Sequence, residues 1–158
     1  MIESEDSFRD WFCDQLKDTG SFNRVEPNPT KGGREGIPDI SYCVRSPFFK
    51  DDHVDGRYGW IEFKWGYPKK KIEVRPQQMR WFREQNKNHG RPWLIWGSNK
   101  MWGMITGKTI AGLKVTKLDG GMAYALSSFT YSFEKVNWKQ VQFLLYFPTR
   151  IEDARAIK

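Results

Sequence analysis

Three polar residues have types and a spacing that suit the binding of a divalent cation. Asp39 follows a short apolar segment bounded by Gly and Pro, and Glu62 and Lys64 lie within an alternating stretch. Side chains two residues apart in a strand point to one face, so Glu62 and Lys64 project together while Ile61 and Phe63 face the opposite side. Charged groups so close to a buried face need partners. A hard cation between Asp39 and Glu62, with Lys64 beside it, would satisfy them.

The order of these residues resembles the signature of the PD-(D/E)xK nuclease superfamily. Pro38-Asp39 is followed by 22 residues and then by Glu62-Phe63-Lys64. By itself this pattern is weak, because three fixed polar residues occur by chance in many chains. The flanks make it more specific: Gly36 precedes it, a helix with Gln78 follows, and a strand follows Gly90.

That arrangement is similar to the VRR-NUC branch of the superfamily, especially its small stand-alone phage and bacterial members. The resemblance covers about residues 3–97. It implies an α/β fold with a restriction-endonuclease-like core of order αβββαβ, in which helices flank a central mixed sheet. A C-terminal extension would follow this core.

The resemblance also implies roles for the site residues. Asp39, Glu62 and the Phe63 carbonyl would hold Mg²⁺, with Mn²⁺ as an alternative. Lys64 would orient and help deprotonate a water, or offset charge at the phosphorus. Gln78 would support the carboxylates or a substrate phosphate. Cleavage would leave a 5′-phosphate and a 3′-hydroxyl.

The sequence supports two interpretations of Glu5 equally. In relatives of this superfamily a Glu on the first helix often reaches the metal, and Glu5 is the matching position. Acidic residues in a first turn also stabilise the helix dipole without any other role. Glu5 is therefore a candidate metal ligand only.

The positive charge of the chain is concentrated next to the proposed site. Residues 64–91 hold nine Lys and Arg against two Glu. The charge of this segment, +7, equals the net charge of all 158 residues. A solvated surface would explain this, but the local excess favours a phosphate-binding face. Two more cations lie in the Pro- and Gly-rich segment 26–36, which could equally be an ordinary connection. The candidate DNA-binding residues are Lys31, Arg34, Lys69, Lys70, Lys71, Arg75, Arg80 and Arg83.

The sequence is compatible with several substrates and functions. The leading hypothesis is a structure-selective endonuclease on branched DNA, because stand-alone relatives resemble Holliday junction resolvases, which act as homodimers. A nonspecific phage nuclease that degrades host DNA is the alternative, and a restriction enzyme is less favoured for so short a chain. A basic DNA-binding protein on an inactive nuclease fold is the alternative from another class.

The remaining sequence predicts one domain, 1–158, with a core of about 3–97 and an elaboration of about 98–150. The 11 Phe and 8 Trp favour a packed interior. The acidic N-terminus, the two Cys and the lack of an apolar run of about 18 residues predict a reduced, cytoplasmic setting without a membrane span. Periodicity and turn residues predict helices at 3–18, 75–88 and 137–147, strands at 21–25, 37–44, 58–65, 91–96, 100–106 and 123–133, a helical turn at 108–113 and a loose tail at 150–158.

Overall fold

A six-stranded mixed sheet organises the chain. The computed structural model describes residues 2–25, 38–48, 56–67 and 71–158. The strand order is β1-β2-β3-β5-β6-β8, and a separate pair is formed by β4 and β7. The strands are β1 (Gly20–Arg24), β2 (Ile40–Val44), β3 (Arg57–Tyr67), β4 (Ile72–Glu73), β5 (Trp93–Ser98), β6 (Met101–Thr106), β7 (Lys117–Leu118) and β8 (Phe129–Ser132).

Six helices accompany these strands in the described part of the chain. They are α1 (Glu5–Gln15), α2 (Pro76–Lys87), α3 (Gly107–Ala111), α4 (Gly120–Leu126), α5 (Trp138–Tyr146) and α6 (Ile151–Arg155). The element order α1, β1, β2, β3, α2, β5 confirms the expected αβββαβ core, with the short β4 inserted. Among the described strand pairs, β3 and β5 run parallel, and α2 lies in the connection between them.

The core helices form where the sequence supplies both caps and apolar faces. Ser4 caps α1 by accepting a hydrogen bond from the Ser7 N–H at 3.1 Å, and Phe8 and Phe12 of this helix are fully buried. Pro76 begins α2, where its missing N–H has no helical partner to lose. All six residues of β5 are buried, which explains why this stretch reads as an apolar run.

Two apolar clusters cover opposite faces of the sheet. On one face, α1 and α5 pack on β2, β3 and β5 through side chains such as Phe12, Phe63 and Leu144. On the other face, α2, α3 and α4 pack on β5 and β6 around Phe82 and Trp96. The Tyr42 hydroxyl donates to the Leu145 carbonyl at 2.9 Å, which ties α5 to β2.

Two sequence-based expectations in the C-terminal part are wrong. The strand expected over 123–133 is divided, because Asp119 caps α4 by accepting from the Met122 N–H at 2.9 Å, and only β8 is extended. The expected loose tail contains α6, whose Ala154 is fully buried. Within the described ranges, none of the helices combines the length and the apolar character that crossing a membrane requires.

Candidate active site

The register between β2 and β3 brings the two predicted acids to neighbouring positions. Ile40 is the antiparallel partner of Ile61, so Asp39 and Glu62 follow at the next position on the opposite face of the sheet. The Asp39 Oδ2 accepts a hydrogen bond from the Phe63 N–H at 2.7 Å. This bond fixes the Asp39 carboxylate against β3, one residue from Glu62.

Glu62 is the most deeply buried of the candidate polar side chains that the structure describes, with 2 % of its surface exposed. Its Oε1 pairs with the Lys64 Nζ at 2.6 Å and accepts a hydrogen bond from the Gln78 Nε2. Its Oε2 is buried and has no hydrogen-bond partner among the residues that the structure describes. A buried carboxylate oxygen without a partner costs desolvation free energy. This atom is therefore suited to bind a ligand from outside the protein chain.

Burial raises the pKa of all three acids in this region. Desolvation raises the pKa of Glu62 to about 7, although the Lys64 ammonium opposes the shift. Desolvation also raises the pKa of Asp39, which the Phe63 N–H and the charge of Lys64 oppose. The pKa of Glu5 is raised by burial as well. Such shifts are common where acids are gathered for metal binding or catalysis.

Glu5 lies near this pair of acids, at the start of α1. The Lys64 ammonium and the Trp65 backbone N–H both favour its charged form, while the charge of Asp39 disfavours it. Within the described ranges, however, no three His, Cys, Asp or Glu side chains are arranged to enclose one metal ion. The arrangement is therefore a pair of carboxylates, with Glu5 in electrostatic range but outside a common cage.

This donor set fits a magnesium-like cation. Mg²⁺ keeps several waters and is usually held by one or two carboxylates, so a full protein cage is not required. Asp39 and Glu62 carry hard oxygen atoms, and the Glu62 Oε2 atom is the one that would be available to such a cation. Soft metals prefer thiolate ligands. The described cysteines, Cys13 and Cys43, are free thiols and do not accompany the two carboxylates.

Gln78 reaches the site from α2 and is 8 % exposed. The Arg75 N–H donates to its Oε1 at 3.0 Å, so the amide is oriented with its Nε2 toward Glu62. This position places the Gln78 amide beside the carboxylate that the resemblance expects it to support. Its amide bridges the first turn of α2 and the buried carboxylate.

The predicted basic residues occupy different positions. Lys71, Arg75 and Arg80 are exposed. The Arg83 guanidinium instead donates to the carbonyls of Ala111, at 3.3 Å, and Leu113, at 3.2 Å, which anchors α2 to the end of α3. Lys31, Arg34, Lys69 and Lys70 lie outside the described residues.

Arg9 is a cation near the site that the sequence reading missed. It is 9 % exposed, and its Nη2 pairs with the Asp6 Oδ1 at 2.5 Å. Its charge lowers the pKa of both Glu5 and Asp39 against the larger effect of burial. The available signal was its position four residues after Glu5, which places both side chains on one side of the helix.

Comparison with known proteins supports the fold. No family model and no curated protein matches this chain. Among solved structures, the chain is similar to Hjc of Archaeoglobus fulgidus, a Holliday junction resolvase from an archaeal hyperthermophile. The match has a TM-score of 0.51 and 14 % sequence identity, and it covers 85 % of this chain and 96 % of the other. The expected α/β fold, with a central mixed sheet flanked by helices, is therefore confirmed and is similar to the fold of this resolvase.

Proposed function

We propose that the chain is a metal-dependent endonuclease that hydrolyses phosphodiester bonds in DNA, with selectivity for branched DNA. One observation carries the proposal: the buried Glu62 Oε2 has no partner, and Asp39 and Lys64 lie beside the same carboxylate. A protein that only bound DNA would gain nothing from a buried, unsatisfied carboxylate oxygen.

Each residue has a distinct task in this proposal. Asp39, Glu62 and the Phe63 carbonyl would hold Mg²⁺ or Mn²⁺, and the bound cation would acidify a water and neutralise phosphate charge. Lys64, held at Glu62 Oε1, presents its ammonium where negative charge develops on the reacting phosphate. Gln78 keeps the Glu62 side chain in one orientation, so Oε2 stays available.

Branched DNA is the favoured substrate because of the fold and the charge. The similar structure, Hjc, is a Holliday junction resolvase, and the chain covers almost all of it. The net charge of +7 suits a partner with a phosphate backbone. We further propose a VRR-NUC-like stand-alone enzyme that acts as a homodimer, since two opposed strands of a junction require two active sites.

A cleavage assay on matched substrates tests this proposal. The wild type should cut a four-way junction in Mg²⁺ or Mn²⁺ faster than a linear duplex of the same sequence, and should cut neither in EDTA. Asp39→Asn should lower the cleavage rate by at least about 100-fold, because a metal ligand is lost, while junction binding in EDTA stays within about 2-fold.

The matched control is Glu152→Gln, which removes an exposed carboxylate on α6 whose side chain is 84 % accessible. Its cleavage rate should equal that of the wild type. Full activity in Asp39→Asn would refute the assigned site. Equal cutting of junction and duplex would identify a nonspecific nuclease, and binding without cutting would identify an inactive DNA-binding protein.

A further inference from the structure

The strand that carries Glu62 and Lys64 also carries two exposed aromatic side chains on the same face. Tyr58 and Trp60 precede Glu62 by four and two residues. Alternate side chains of a strand share one face and follow each other at roughly 6.8 Å. The two rings therefore lie on the face of the sheet that carries the acid pair, within reach of a DNA strand whose phosphate binds there.

Both rings are accessible, and the Trp60 ring also packs against a neighbouring aromatic ring. Tyr58 is 85 % exposed and Trp60 is 36 % exposed. The Trp60 ring meets the edge of Trp81 on α2, with centroids 6.3 Å apart and planes at 80°. Trp81 in turn packs against the buried Phe82. This contact holds the Trp60 ring in place while leaving part of its surface in solvent.

The surroundings of the two rings are polar. Cys43 is the register partner of Tyr58, and Ser41 is the partner of Trp60. On the next strand, Ser21 and Asn23 are the partners of these residues and are exposed. This half of the face is therefore a small polar surface with two aromatic rings, in contrast to the apolar cover over β5 and β6.

We propose that Tyr58 and Trp60 form an aromatic platform on which unpaired nucleobases of the DNA substrate stack. The inference rests on the proposed function, because it takes DNA as the ligand and places the platform next to the metal-binding acids. It specifies that function further, since a stacking surface accepts bases that have left the duplex. The preferred substrate then has a single-stranded or locally opened segment beside the cleaved bond.

Unpaired bases fit this surface better than a second copy of the chain does. Stacking on an aromatic ring is tolerant of base identity and needs only an accessible ring face. A stable protein interface buries about 800 Å² on each partner around an apolar centre. Two rings among Ser, Asn and Cys offer a much smaller apolar area. The net positive charge also favours a nucleic acid over a like-charged second copy.

Binding of a labelled oligo(dT) in EDTA, followed by fluorescence anisotropy, tests the platform without cleavage. Trp60→Ala and Tyr58→Ala should each weaken binding by about 5-fold or more, because one stacking contact is lost. Trp60→Phe should retain affinity within about 2-fold. Tyr124→Ala is the matched control, since Tyr124 is 55 % exposed on α4, and it should bind as the wild type does.

An oligonucleotide with abasic sites separates stacking from phosphate contacts. The wild type should bind it more weakly than oligo(dT), and the Tyr58→Ala/Trp60→Ala double variant should bind both equally. Equal loss of affinity for both ligands in Trp60→Ala, or unchanged affinity for oligo(dT) in both alanine variants, would overturn the platform. A wild-type dimer that becomes monomeric in Trp60→Ala with unchanged oligo(dT) affinity would assign the rings to a subunit interface instead.

The two proposals fail separately in these measurements. A wild type that binds oligo(dT) through the rings but never cuts DNA with a metal present would refute the nuclease and keep the platform. A wild type that cuts junctions while both alanine variants bind normally would refute the platform alone. Tyr58→Ala protects the test against misfolding, because the Tyr58 side chain is almost fully exposed.

Discussion

The Glu62 carboxylate divides its two oxygens between different tasks. Oε1 is satisfied by Lys64 and Gln78, whereas the buried Oε2 has no partner. Burial also stabilises the neutral form of the acid, which is why its pKa lies near neutrality. The folded state binds the Glu62 proton more tightly than the unfolded state does. This group therefore makes the metal-free protein less stable as the pH rises from 4.5 to about 7.

Metal affinity should therefore depend on pH near neutrality. A cation must displace the proton from Glu62, so the apparent affinity for Mn²⁺ should rise by up to about 10-fold per pH unit below pH 7 and level off above it. The increase in melting temperature on adding Mn²⁺ measures this between pH 5.5 and 8.5. For Asp39→Asn, the melting temperature should change little on adding Mn²⁺ at any pH. A pH-independent metal effect in the wild type would contradict the assignment of Glu62.

At the scale of elements, the sequence reveals the core better than the C-terminal part. Strand alternation placed Glu62 and Lys64 on one face, and Pro76 marked the start of α2, because these signals are local. The division of 123–133 into a helix and a strand was missed, since it depends on the Asp119 cap and on packing against β6. The Glu62 to Gln78 contact could only be suggested, because it joins elements that the chain connects by a crossover.

A buried amide helps to hold α6 against the rest of the fold. Gln140 on α5 is 9 % exposed, and its Oε1 accepts from the Tyr131 hydroxyl at 2.7 Å while its Nε2 donates to the Ala154 carbonyl at 2.8 Å. These bonds join β8, α5 and α6. No polar periodicity in the sequence could indicate this link, which explains why a loose tail was expected.

Replacement of Gln140 should destabilise the fold. Gln140→Leu leaves the Tyr131 hydroxyl without this partner and removes one of the hydrogen bonds to the Ala154 carbonyl, which still accepts from the Ile157 N–H. The free energy of unfolding should therefore fall by about 1–3 kcal/mol. Urea denaturation followed by circular dichroism measures the change. Gln142→Leu is the control, because that amide donates from an exposed position to the Arg45 carbonyl, and it should lose less than about 1 kcal/mol. Equal losses in both variants would contradict the role of Gln140.

At the scale of the whole molecule, the excess positive charge is partly structural. Arg80 and Arg83 on α2 are both exposed, but the Arg83 guanidinium also donates to the carbonyls of Ala111 and Leu113. Both line a groove of about 370 Å³ together with Lys114. A count of charges in the sequence cannot separate an arginine that supports α3 from one that is available to a phosphate.

The salt dependence of DNA binding should identify the available cations. Arg80→Gln should weaken binding to every duplex sequence alike and reduce the slope of log K against log salt concentration by about 1. Filter binding between 50 and 300 mM salt gives the slope. Arg150→Gln, at the N-cap of α6, should leave the slope unchanged, because Arg150 pairs with Asp153 at 2.5 Å. An unaltered slope in Arg80→Gln would exclude that residue from the DNA-binding surface.

The parallel pairing of β3 with β5 has a consequence for the order in which the candidate site is assembled. Glu62 lies on β3, whereas Gln78 lies on α2, in the crossover that joins β3 to β5. Such long-range closure is slow compared with the formation of a hairpin. A nascent chain that has made only its first three strands therefore has Asp39 and Glu62 side by side before the Gln78 amide reaches them.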